Sequence, residues 1–558
     1  MNPTIDCLFI GHNEMDFREY ENMTRQMGMD SGAYRDLNLN YIRYNNSLYT
    51  VTGIFKLLNT GPEGCFKPFT PGEIFSPAIA YLGSYLQRRG FTFDYINSFQ
   101  EESAALAAKL QRENILAVAI ITTLYVSPLP IVEIIDFIKK YNRTAKIIIG
   151  GPFVSTQVRV QESASLDYLF NHTLDADFFV NSSQGEATLV KILRTLKNNL
   201  PLQQIKNIYY KVKDQLLSTP VVKEDNRLAD NPVNWDLFSL REFEFFNIRT
   251  AVSCPFSCSF CGFPQHAGQY QTMPMEMIEK ELDQLVKRGT IKSIFFIDDT
   301  FNVPVNRFKE FLRLLIPKEY SFHWHSYFRC QYIDREMVEL MKNSGCEGVF
   351  LGIESGSDRV LKNMNKGCQV EKYRQGIDLL KEYEIVTFGN FILGFPGETP
   401  GTAAETKAFI RESGLDFFRA QLWYCEPITP IWKEKEKYKI RGESFEWTHE
   451  TMDSPTAANL VEEIFIDIET PVWVPLYHFD FNGIWHLVHR GMSVEQVKKF
   501  LNAFNRGVKE RLLKPGQKEV GYEVLKDLKN ACLGENIFTD IPGQEKNLPD
   551  KYNAGFDY

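Results

Sequence analysis

The alternation of short apolar runs with amphipathic segments constrains the fold of this chain more than any other feature. Two such stretches occur, one on each side of about residue 220. Strands that are apolar throughout and separated by helices are typical of parallel sheets that helices cover on both faces. The sequence therefore predicts an α/β protein.

The alternation also divides the chain, since 558 residues are too many for one ordinary hydrophobic core. The first stretch predicts a Rossmann-like parallel sheet, and the second predicts a partial (β/α)6 barrel. We predict an N-terminal extension with a first strand (1–70), the Rossmann-like domain (71–200), a linker (201–245), the barrel (246–430) and a mainly helical C-terminal domain (431–558). The six barrel strands are predicted at Phe246–Val252, Ser293–Ile297, His323–Phe328, Gly348–Ile353, Val386–Leu393 and Phe418–Leu422.

The composition argues against several classes of protein. The formal net charge of −9 does not suit a surface that binds phosphate backbones, so no nucleic-acid partner is expected. No apolar stretch is long enough to cross a bilayer, and no basic and apolar leader is visible at the start. Ten cysteines in a chain of this length do not indicate a disulfide scaffold. The sequence therefore predicts a cytoplasmic protein.

Three cysteines follow the first predicted barrel strand, in the segment AVSCPFSCSFCGFP. Cys254, Cys258 and Cys261 lie in a loop that leaves the carboxyl end of that strand, where one loop can wrap one cluster. Three thiolates bind three irons of a [4Fe–4S] cluster and leave the fourth iron open to a small chelating molecule.

A zinc site is the alternative interpretation of these cysteines. Structural zinc takes four ligands, and the candidates for the fourth are His266 and the distant Cys330 and Cys346. The spacing of the three cysteines and their place after a strand favour the iron–sulfur cluster.

The segment CPFSCSFC resembles the CxxxCxΦC signature of radical S-adenosylmethionine enzymes, with Phe260 as the aromatic residue Φ. The resemblance covers about 246–430. It implies that S-adenosylmethionine chelates the open iron through its amino and carboxyl groups. It also implies that an electron from the cluster cleaves the sulfonium and yields a 5′-deoxyadenosyl radical.

Other barrel positions are similar to the cofactor contacts of that family. The resemblance implies that Asp298 and Asp299 hold the methionine amine, that Glu354 accepts the ribose hydroxyls and that Gly394 lies near the adenine. Arg329, after the third strand, would pair with Glu354 or with the methionine carboxylate. Simpler explanations are open: Asp299 as a helix cap, Glu354 as a solvated loop residue and Gly394 as a turn residue.

Polar and small residues follow the strands of the Rossmann-like domain, where parallel sheets bind ligands. The order of these segments resembles the class of radical S-adenosylmethionine enzymes that carries an N-terminal cobalamin-binding domain. The implied cobalamin contacts are Thr122, Thr123, Gly150, Gly151, Gly185 and Glu186. A Rossmann-like domain that binds nothing, or binds a partner, is the alternative.

The DxHxxG motif, which supplies an axial histidine in many cobalamin proteins, is absent. His12, in the segment IGHNE, is the nearest histidine to a strand end, and a turn or surface position is the simpler explanation for it. The lower cobalt ligand is therefore left open. In the C-terminal region, His478, His486 and His489 could form a second metal site, but an aromatic wall is favoured.

The predicted cofactors imply a methyltransferase that moves a methyl group from methylcobalamin to an unactivated centre. The segments DCLFIGHNE and WTHETMDSP resemble the phosphinothricin P-methylase-like group, so the acceptor would be a carbon or a phosphinate phosphorus of a natural product or peptide. The expected partners are that substrate and an electron donor such as flavodoxin or ferredoxin.

Three other functions stay open. One is a cyclisation or rearrangement with the same cofactors and no net methylation, and another is a non-catalytic sensor of cobalamin or of an iron–sulfur cluster. The third, a tRNA methylthiotransferase, would need a further N-terminal cysteine set, which Cys7 and Cys65 alone do not provide.

Overall fold

The computed structural model describes residues 4–533, apart from 61–63, 124, 126, 214, 241, 290, 478, 515 and 517–518. The N-terminal part contains β1 (Thr4–His12), α1 (Phe17–Gln26), α2 (Gly32–Leu37), β2 (Ile42–Tyr44), β3 (Ser47–Tyr49), α3 (Val51–Asn59) and β4 (Ile74–Phe75). The next part contains α4 (Pro77–Gln87), β5 (Phe93–Ser98), α5 (Ser103–Arg112), β6 (Asn114–Ile121), α6 (Leu129–Tyr141), β7 (Lys146–Gly150), α7 (Pro152–Val160), α8 (Ser163–Tyr168), β8 (Phe178–Val180), α9 (Glu186–Asn198), β9 (Ile208–Val212) and β10 (Gln215–Ser218).

The barrel part contains β11 (Phe245–Ile248), β12 (Ala251–Val252), α10 (Phe263–Ala267), β13 (Gln271–Thr272), α11 (Met275–Arg288), β14 (Ser293–Phe296), α12 (Val305–Leu315), β15 (His323–Phe328), α13 (Arg335–Asn343), β16 (Cys346–Glu354), α14 (Asp358–Asn363), α15 (Val370–Glu382), β17 (Val386–Leu393), α16 (Pro400–Glu412) and β18 (Phe417–Leu422). The C-terminal part contains α17 (Lys435–Tyr438), β19 (Arg441–Glu443), β20 (Glu446–His449), β21 (Met452–Asp453), α18 (Ser454–Asp467), β22 (Val472–Trp473), α19 (Phe481–Val488), α20 (Val494–Leu513) and α21 (Tyr522–Ala531). The predicted α/β fold class is confirmed. Among the described helices, none is long and apolar enough to cross a membrane.

The N-terminal sheet has the strand order β10-β9-β8-β7-β6-β1-β5. Its five strands from β8 to β5 are parallel, while β9 and β10 extend the sheet in antiparallel fashion. Strand β1 lies between β5 and β6, so the order of the sheet reverses there. A reversal of this kind opens a ligand crevice at the carboxyl ends of the two central strands.

The boundaries predicted for this domain need correction. Strand β1 falls in the predicted extension, yet it lies in the middle of the sheet and its residues from Cys7 to Ile10 are fully buried. The predicted linker contains β9 and β10, which pair with the same sheet. The first strand of the chain lies inside this sheet and β9 and β10 occupy its edge, so the domain extends beyond both predicted boundaries.

The rest of the predicted extension packs against the opposite end of the chain. In α2, Arg35 forms an ion pair of 2.7 Å with Glu462, and Asp36 accepts a hydrogen bond of 2.6 Å from the buried Arg419. Just after α2, Asn38 accepts a hydrogen bond of 2.5 Å from Arg511. The first helices therefore belong structurally to the barrel and the C-terminal region.

The barrel sheet has the order β22-β18-β17-β16-β15-β14-β11-β4, and all of its neighbouring strands are parallel. Its six inner strands are those predicted from the sequence, and two of them, His323–Phe328 and Val386–Leu393, have the predicted bounds. The two outermost strands, β4 and β22, come from outside the predicted barrel segment. The described sheet is open, so it is a partial barrel.

The amino end of the barrel is closed by α19. Phe481, at the start of this helix, packs between the rings of Phe295, Phe350 and Phe388, with centroid distances of 5.8–6.4 Å. Beside it, Glu347 accepts hydrogen bonds from His325 and from His489, the latter at 2.8 Å.

Two of the three histidines considered for a second metal site, His486 and His489, belong to this plug. His486 packs against the rings of Phe69 and Phe245 at 4.7 and 3.9 Å, and His489 bonds to Glu347. His478 lies outside the described residues. The packing of the two described histidines supports the aromatic wall.

Replacing Glu347 with glutamine is expected to lower the free energy of unfolding at pH 7 by about 2 kcal/mol, because the variant loses charged hydrogen bonds in a buried place. Burial alone would raise the pKa of Glu347, but hydrogen bonds and charge from the two histidines lower it to about 2. The native carboxylate therefore adds stability above the usual pKa of 4.5 and loses it as the pH falls toward 2. The difference in thermal midpoint between wild type and variant should shrink over this range. An unchanged difference would contradict the assignment.

Candidate active site

The loop that carries the three cysteines is fixed at its start by Asp298. One carboxylate oxygen of Asp298 accepts hydrogen bonds from the backbone amides of Thr250 and Ala251, at 2.7 and 2.9 Å, and the other accepts one from the Thr250 hydroxyl. Arg307 donates to the carbonyl of Thr250 at 3.1 Å. Both oxygens of Asp298 are thus taken by the loop and the side chain is buried. The prediction that Asp298 contacts a cofactor is corrected accordingly.

The three thiols are close enough to interact electrostatically. Burial raises the pKa of the Cys261 thiol to about 11, and Cys258, Asp299 and Cys254 add to the shift. Cys254 lies with its sulfur 3.4 Å from the hydroxyl of Thr300. Binding to iron would reverse such a shift, because a metal stabilises the thiolate.

The spacing of the thiols bears on the kind of metal that fits. Among the described residues, no three His, Cys, Asp or Glu side chains converge on a single ion. A cubane binds each thiolate at a different iron and therefore needs separated thiols. Of the candidates for a fourth zinc ligand, Cys346 lies at the opposite, amino-terminal end of β16.

Arg329 supplies a positive charge directly to the cysteine loop. Its Nη2 donates to the sulfur of Cys258 at 2.9 Å, and its guanidinium lies 3.7 Å from the ring centroid of Phe256. The guanidinium therefore places a fixed positive charge beside the sulfur of Cys258. The predicted pairing of Arg329 with Glu354 is wrong, because Glu354 has another partner.

That partner is Lys366, which the sequence interpretation missed. The Lys366 ammonium lies 2.8 Å from the Glu354 carboxylate, and the two side chains are only 4% and 8% exposed. Asn390 donates to the other carboxylate oxygen at 3.4 Å, and the ring centroid of Phe260 is 5.5 Å from the ammonium. Glu354 is therefore not a solvated loop residue. It ends β16 with a φ of 71°, a strained value for a residue with a side chain.

A tight turn brings Lys366 to the cysteine loop. Asn365 and Gly367 flank the lysine with φ values of 50° and 67°. The Asn365 amide donates to the carbonyl of Ser257 at 3.0 Å. The sequence signal that could have revealed the lysine is this N-K-G triplet, since Asn and Gly are the residues that accept a left-handed backbone.

Asp299 lies at the open end of the barrel, near the cysteines. Its side chain is accessible to solvent. The surrounding protein and the neighbouring Asp298 raise its pKa to about 7. A side chain that is both accessible and deeply surrounded lines a cavity, so Asp299 is placed where a ligand can reach it.

Gly394 is not open to a ligand. A Cβ atom at this position would lie 2.5 Å from the ring of Trp447 and 2.6 Å from Ala457, and the residue has a φ of 89°. Its carbonyl accepts a hydrogen bond of 3.0 Å from His449. The glycine is needed for packing under Trp447, so the predicted contact with adenine is corrected.

The crevice of the N-terminal sheet is bounded by backbone and small residues. The Thr122 hydroxyl donates to the carbonyl of Gly150 at 2.9 Å and so ties the ends of β6 and β7 together. Gly151 has a φ of 118°, and a Cβ there would lie 2.8 Å from the Thr122 hydroxyl oxygen. Thr123 is exposed beside them, and Gly185 begins α9 with a φ of 86°. A flat ligand can approach this backbone closely.

Glu186 does not face the crevice. Its carboxylate is buried and accepts a hydrogen bond of 2.8 Å from Asn226, so the predicted cobalamin contact through this side chain is corrected. His12 ends β1 at the crevice, with its ring stacked 6.4 Å from that of Tyr125. Burial lowers the pKa of His12, and its Nδ1 has no hydrogen-bond partner among the described residues.

The carboxyl edges of the two sheets meet. Arg159, in α7, donates to His266, in the short helix after the cysteines, at 3.1 Å. The guanidinium of Arg249, just after β11, lies 4.7 Å from the ring centroid of Tyr81 in α4. The cysteine loop and the crevice of the N-terminal sheet therefore lie on the same side of the molecule.

The class of the barrel follows from comparison with known families. Residues 248–410 match the model of the Radical SAM superfamily. This part of the chain is therefore a radical S-adenosylmethionine domain, which confirms the prediction made from the cysteine spacing.

Several known proteins are similar in sequence. An uncharacterized methyltransferase of Pyrococcus horikoshii is 24% identical over 304 residues, 53% of this chain and 64% of that protein. A putative methylthiotransferase of Methanocaldococcus jannaschii is 28% identical over 358 residues, 62% of this chain and 74% of that protein. The anaerobic magnesium-protoporphyrin IX monomethyl ester cyclase of Cereibacter sphaeroides is 22% identical over 381 residues, 64% of this chain and 59% of that protein. The alignment thus covers less than two thirds of the first and third of these relatives.

Two solved structures share the architecture. The radical S-adenosylmethionine methyltransferase TsrM from Kitasatospora setae, with cobalamin and a [4Fe–4S] cluster bound, matches with a TM-score of 0.55 and 16% identity over 82% of this chain and 96% of that one. The cobalamin-dependent radical enzyme OxsB, with aqua-cobalamin and S-adenosylmethionine bound, matches with a TM-score of 0.58 and 14% identity over 95% and 78%. The three predicted cofactors are those found in these two proteins. At these identities the likeness shows the fold.

Proposed function

We propose that this protein is a cobalamin-dependent radical S-adenosylmethionine methyltransferase, which transfers a methyl group to an unactivated carbon or phosphinate phosphorus of a natural product or peptide. The main support for the proposal is that the carboxyl edges of the two sheets meet. The edge of the barrel sheet carries the three cysteines, and the edge of the N-terminal sheet carries the crevice. Two cofactors bound at these edges would lie side by side.

The residues of the loop fit a [4Fe–4S] cluster. Cys254, Cys258 and Cys261 would bind three irons, and Arg329 would neutralise part of the charge at the sulfur of Cys258. When bound, the cluster with S-adenosylmethionine supplies a radical able to remove a hydrogen atom, and cobalamin supplies the methyl group. Asp299 would bind the methionine amine and Glu354 the ribose hydroxyls, with Lys366 holding Glu354 in place.

The crevice fits a corrin for a different reason. Its walls at Thr123, Gly150, Gly151 and Gly185 are small, and Gly151 tolerates no Cβ without displacing Thr122. The chain contributes shape there rather than a charged contact. His12 lies at the same edge. Its buried Nδ1 has no hydrogen-bond partner among the described residues, so it is available to a ligand in the crevice.

A cyclisation or rearrangement with the same cofactors is the second candidate. The similarity to the cyclase of Cereibacter sphaeroides favours it, because that relative aligns with 64% of this chain. Methylated product separates the two candidates, since only the methyltransferase forms it. A sensor is less well supported, because a sensor has no need for the buried Lys366–Glu354 pair beside the cysteine loop.

The deciding experiment is an anaerobic absorption spectrum of the protein after reconstitution with iron, sulfide and hydroxocobalamin and removal of unbound cofactor. We expect an iron–sulfur shoulder together with corrin bands at about one corrin per chain. A cluster without corrin would overturn the methyltransferase proposal and leave the radical domain in place. An electron donor such as flavodoxin or ferredoxin is proposed as the physiological reductant.

A further inference from the structure

The floor of the barrel cavity carries a carboxylate. Asp480 precedes α19, the helix that plugs the amino end of the barrel, and accepts a hydrogen bond of 3.1 Å from the backbone amide of Gly483. Its side chain is accessible to solvent although protein surrounds it on all sides. This combination places the carboxylate on the wall of an internal cavity.

The opposite end of the cavity carries a second carboxylate, and a phenol lies between the two. Asp299 is at the open end, beside the cysteine loop. Both Asp299 and Asp480 lie close enough to Tyr327 to raise the pKa of its phenol, although burial is the larger cause. The Tyr327 hydroxyl has no hydrogen-bond partner among the described residues. Tyr327 is half-buried, so its hydroxyl is available to a ligand in the cavity.

Aromatic rings line the same space. The ring centroid of Tyr327 lies 4.9 Å from that of Phe295 and 5.2 Å from that of Phe350. The Phe481 ring, next to Asp480, packs against the same two phenylalanines. Aromatic faces beside a carboxylate form an environment that attracts organic cations.

Three of the protein's own cations near the cavity are already paired, while Arg249, which lies over the ring of Tyr81, acts on Asp299 through its charge. Among the described residues, Lys366 pairs with Glu354, Arg329 donates to Cys258 and His325 bonds to Glu347. No ion pair to Asp299 or Asp480 occurs in the part of the chain that the structure describes. A carboxylate in a cavity surrounded by protein is less well solvated than one at an open surface, and a positively charged ligand would compensate for this.

We propose that the barrel cavity selects a substrate with a positively charged amine or guanidine group, which pairs with Asp480 beside Tyr327. This inference rests on the proposed function, because it takes the barrel cavity to be the substrate site. It narrows the substrate class: a phosphinate is an anion, and the carboxylate of Asp480 would repel it, while Asp299 is left to the methionine amine. An amine-bearing small molecule or a peptide with a basic side chain fits the cavity.

The test measures the charge preference of the cavity with matched probes. Tryptamine and indole-3-propionate share one ring and differ in charge, as do hexylamine and hexanoate. Isothermal titration calorimetry on the full-length reconstituted protein should show each amine binding at least roughly ten-fold more tightly than its acid. Equal or tighter binding of the acids would overturn the proposal.

Asp480→Asn removes the negative charge of the side chain but keeps its role as the cap of α19, because asparagine also caps helices well. This variant should lose the preference for amines and keep its affinity for the acids. The matched control is Asp453→Asn, the same change at the cap of α18, where Asp453 accepts from the amide of Thr456 at 2.9 Å. The control should keep the wild-type preference. An amine preference that survives in Asp480→Asn would refute the role of this carboxylate.

The same preparations distinguish this inference from the proposed function. Asp480→Asn should keep the cluster and corrin absorbance. In the wild-type protein, a normal spectrum without amine preference would refute the substrate class alone. Amine preference without cofactor absorbance would refute the methyltransferase and leave a cation-binding barrel.

Discussion

Replacing Cys258 with alanine is expected to abolish the iron–sulfur cluster and the formation of 5′-deoxyadenosine. The variant loses one of three thiolates and leaves the buried guanidinium of Arg329 without the sulfur to which it donates at 2.9 Å. Bound iron should fall from about four atoms per chain to nearly none. Corrin absorbance should persist, because the crevice of the N-terminal sheet uses other residues. Iron analysis and chromatography after anaerobic reduction with S-adenosylmethionine measure both effects.

Cys346→Ala is the matched control for this change. Cys346 is buried in the same barrel, but it begins β16 and its thiol donates to the carbonyl of Gly348 at 3.7 Å. This variant should keep the cluster and the cleavage activity. If Cys258→Ala still cleaved S-adenosylmethionine, the cysteine loop would not be the cluster site.

Replacing Lys366 with methionine is expected to lower the free energy of unfolding by about 3–5 kcal/mol, since it leaves a buried carboxylate without its cation. Glu354 is 8% exposed, and its remaining side-chain hydrogen bond among the described residues is one of 3.4 Å from Asn390. Cleavage of S-adenosylmethionine should fall as well, because Glu354 would no longer be held in place. Thermal unfolding and the yield of 5′-deoxyadenosine report the two losses.

A second substitution separates stability from function at this pair. Lys366→Met combined with Glu354→Gln removes the buried charge, so the double variant should regain most of the lost stability without regaining cleavage. Lys407→Met is the control, because Lys407 pairs with the exposed Glu463 and Asp467 and such pairs contribute about 0–1 kcal/mol. Recovery of cleavage in the double variant would show that Glu354 has no part in binding the cofactor.

The inner barrel strands could be predicted because each is a continuous apolar run bounded by turn residues. The two edge strands could not, because β4 and β22 have only two residues each and lie far from the barrel segment in sequence. The place of β1 was likewise hidden, since strand order in a sheet is decided by tertiary packing. Local patterns therefore predicted the elements and the fold class, but not the boundaries of the sheets.

The site shows the same division between local and tertiary information. The three cysteines and Glu354 could be predicted as site residues because each follows the carboxyl end of a predicted strand. Lys366 was missed because its pairing with Glu354 depends on a turn that returns the chain to the cysteine loop. Gly394 was misjudged because Trp447, which covers it, is contributed by a different region. Which polar residue faces a ligand is a property of packing.

The hydrogen bond between Asn38 and Arg511 has a consequence for synthesis on the ribosome. Its two residues are 473 positions apart, so at about 5–20 residues per second the partner of Asn38 is made roughly 25–95 s later. The other partners of α2, Arg419 and Glu462, are also made late, so α2 lacks its docking surface for most of that interval. The first helices can therefore pack fully only after the C-terminal region has been made. A nascent chain of this protein is expected to depend on chaperones until translation is nearly complete.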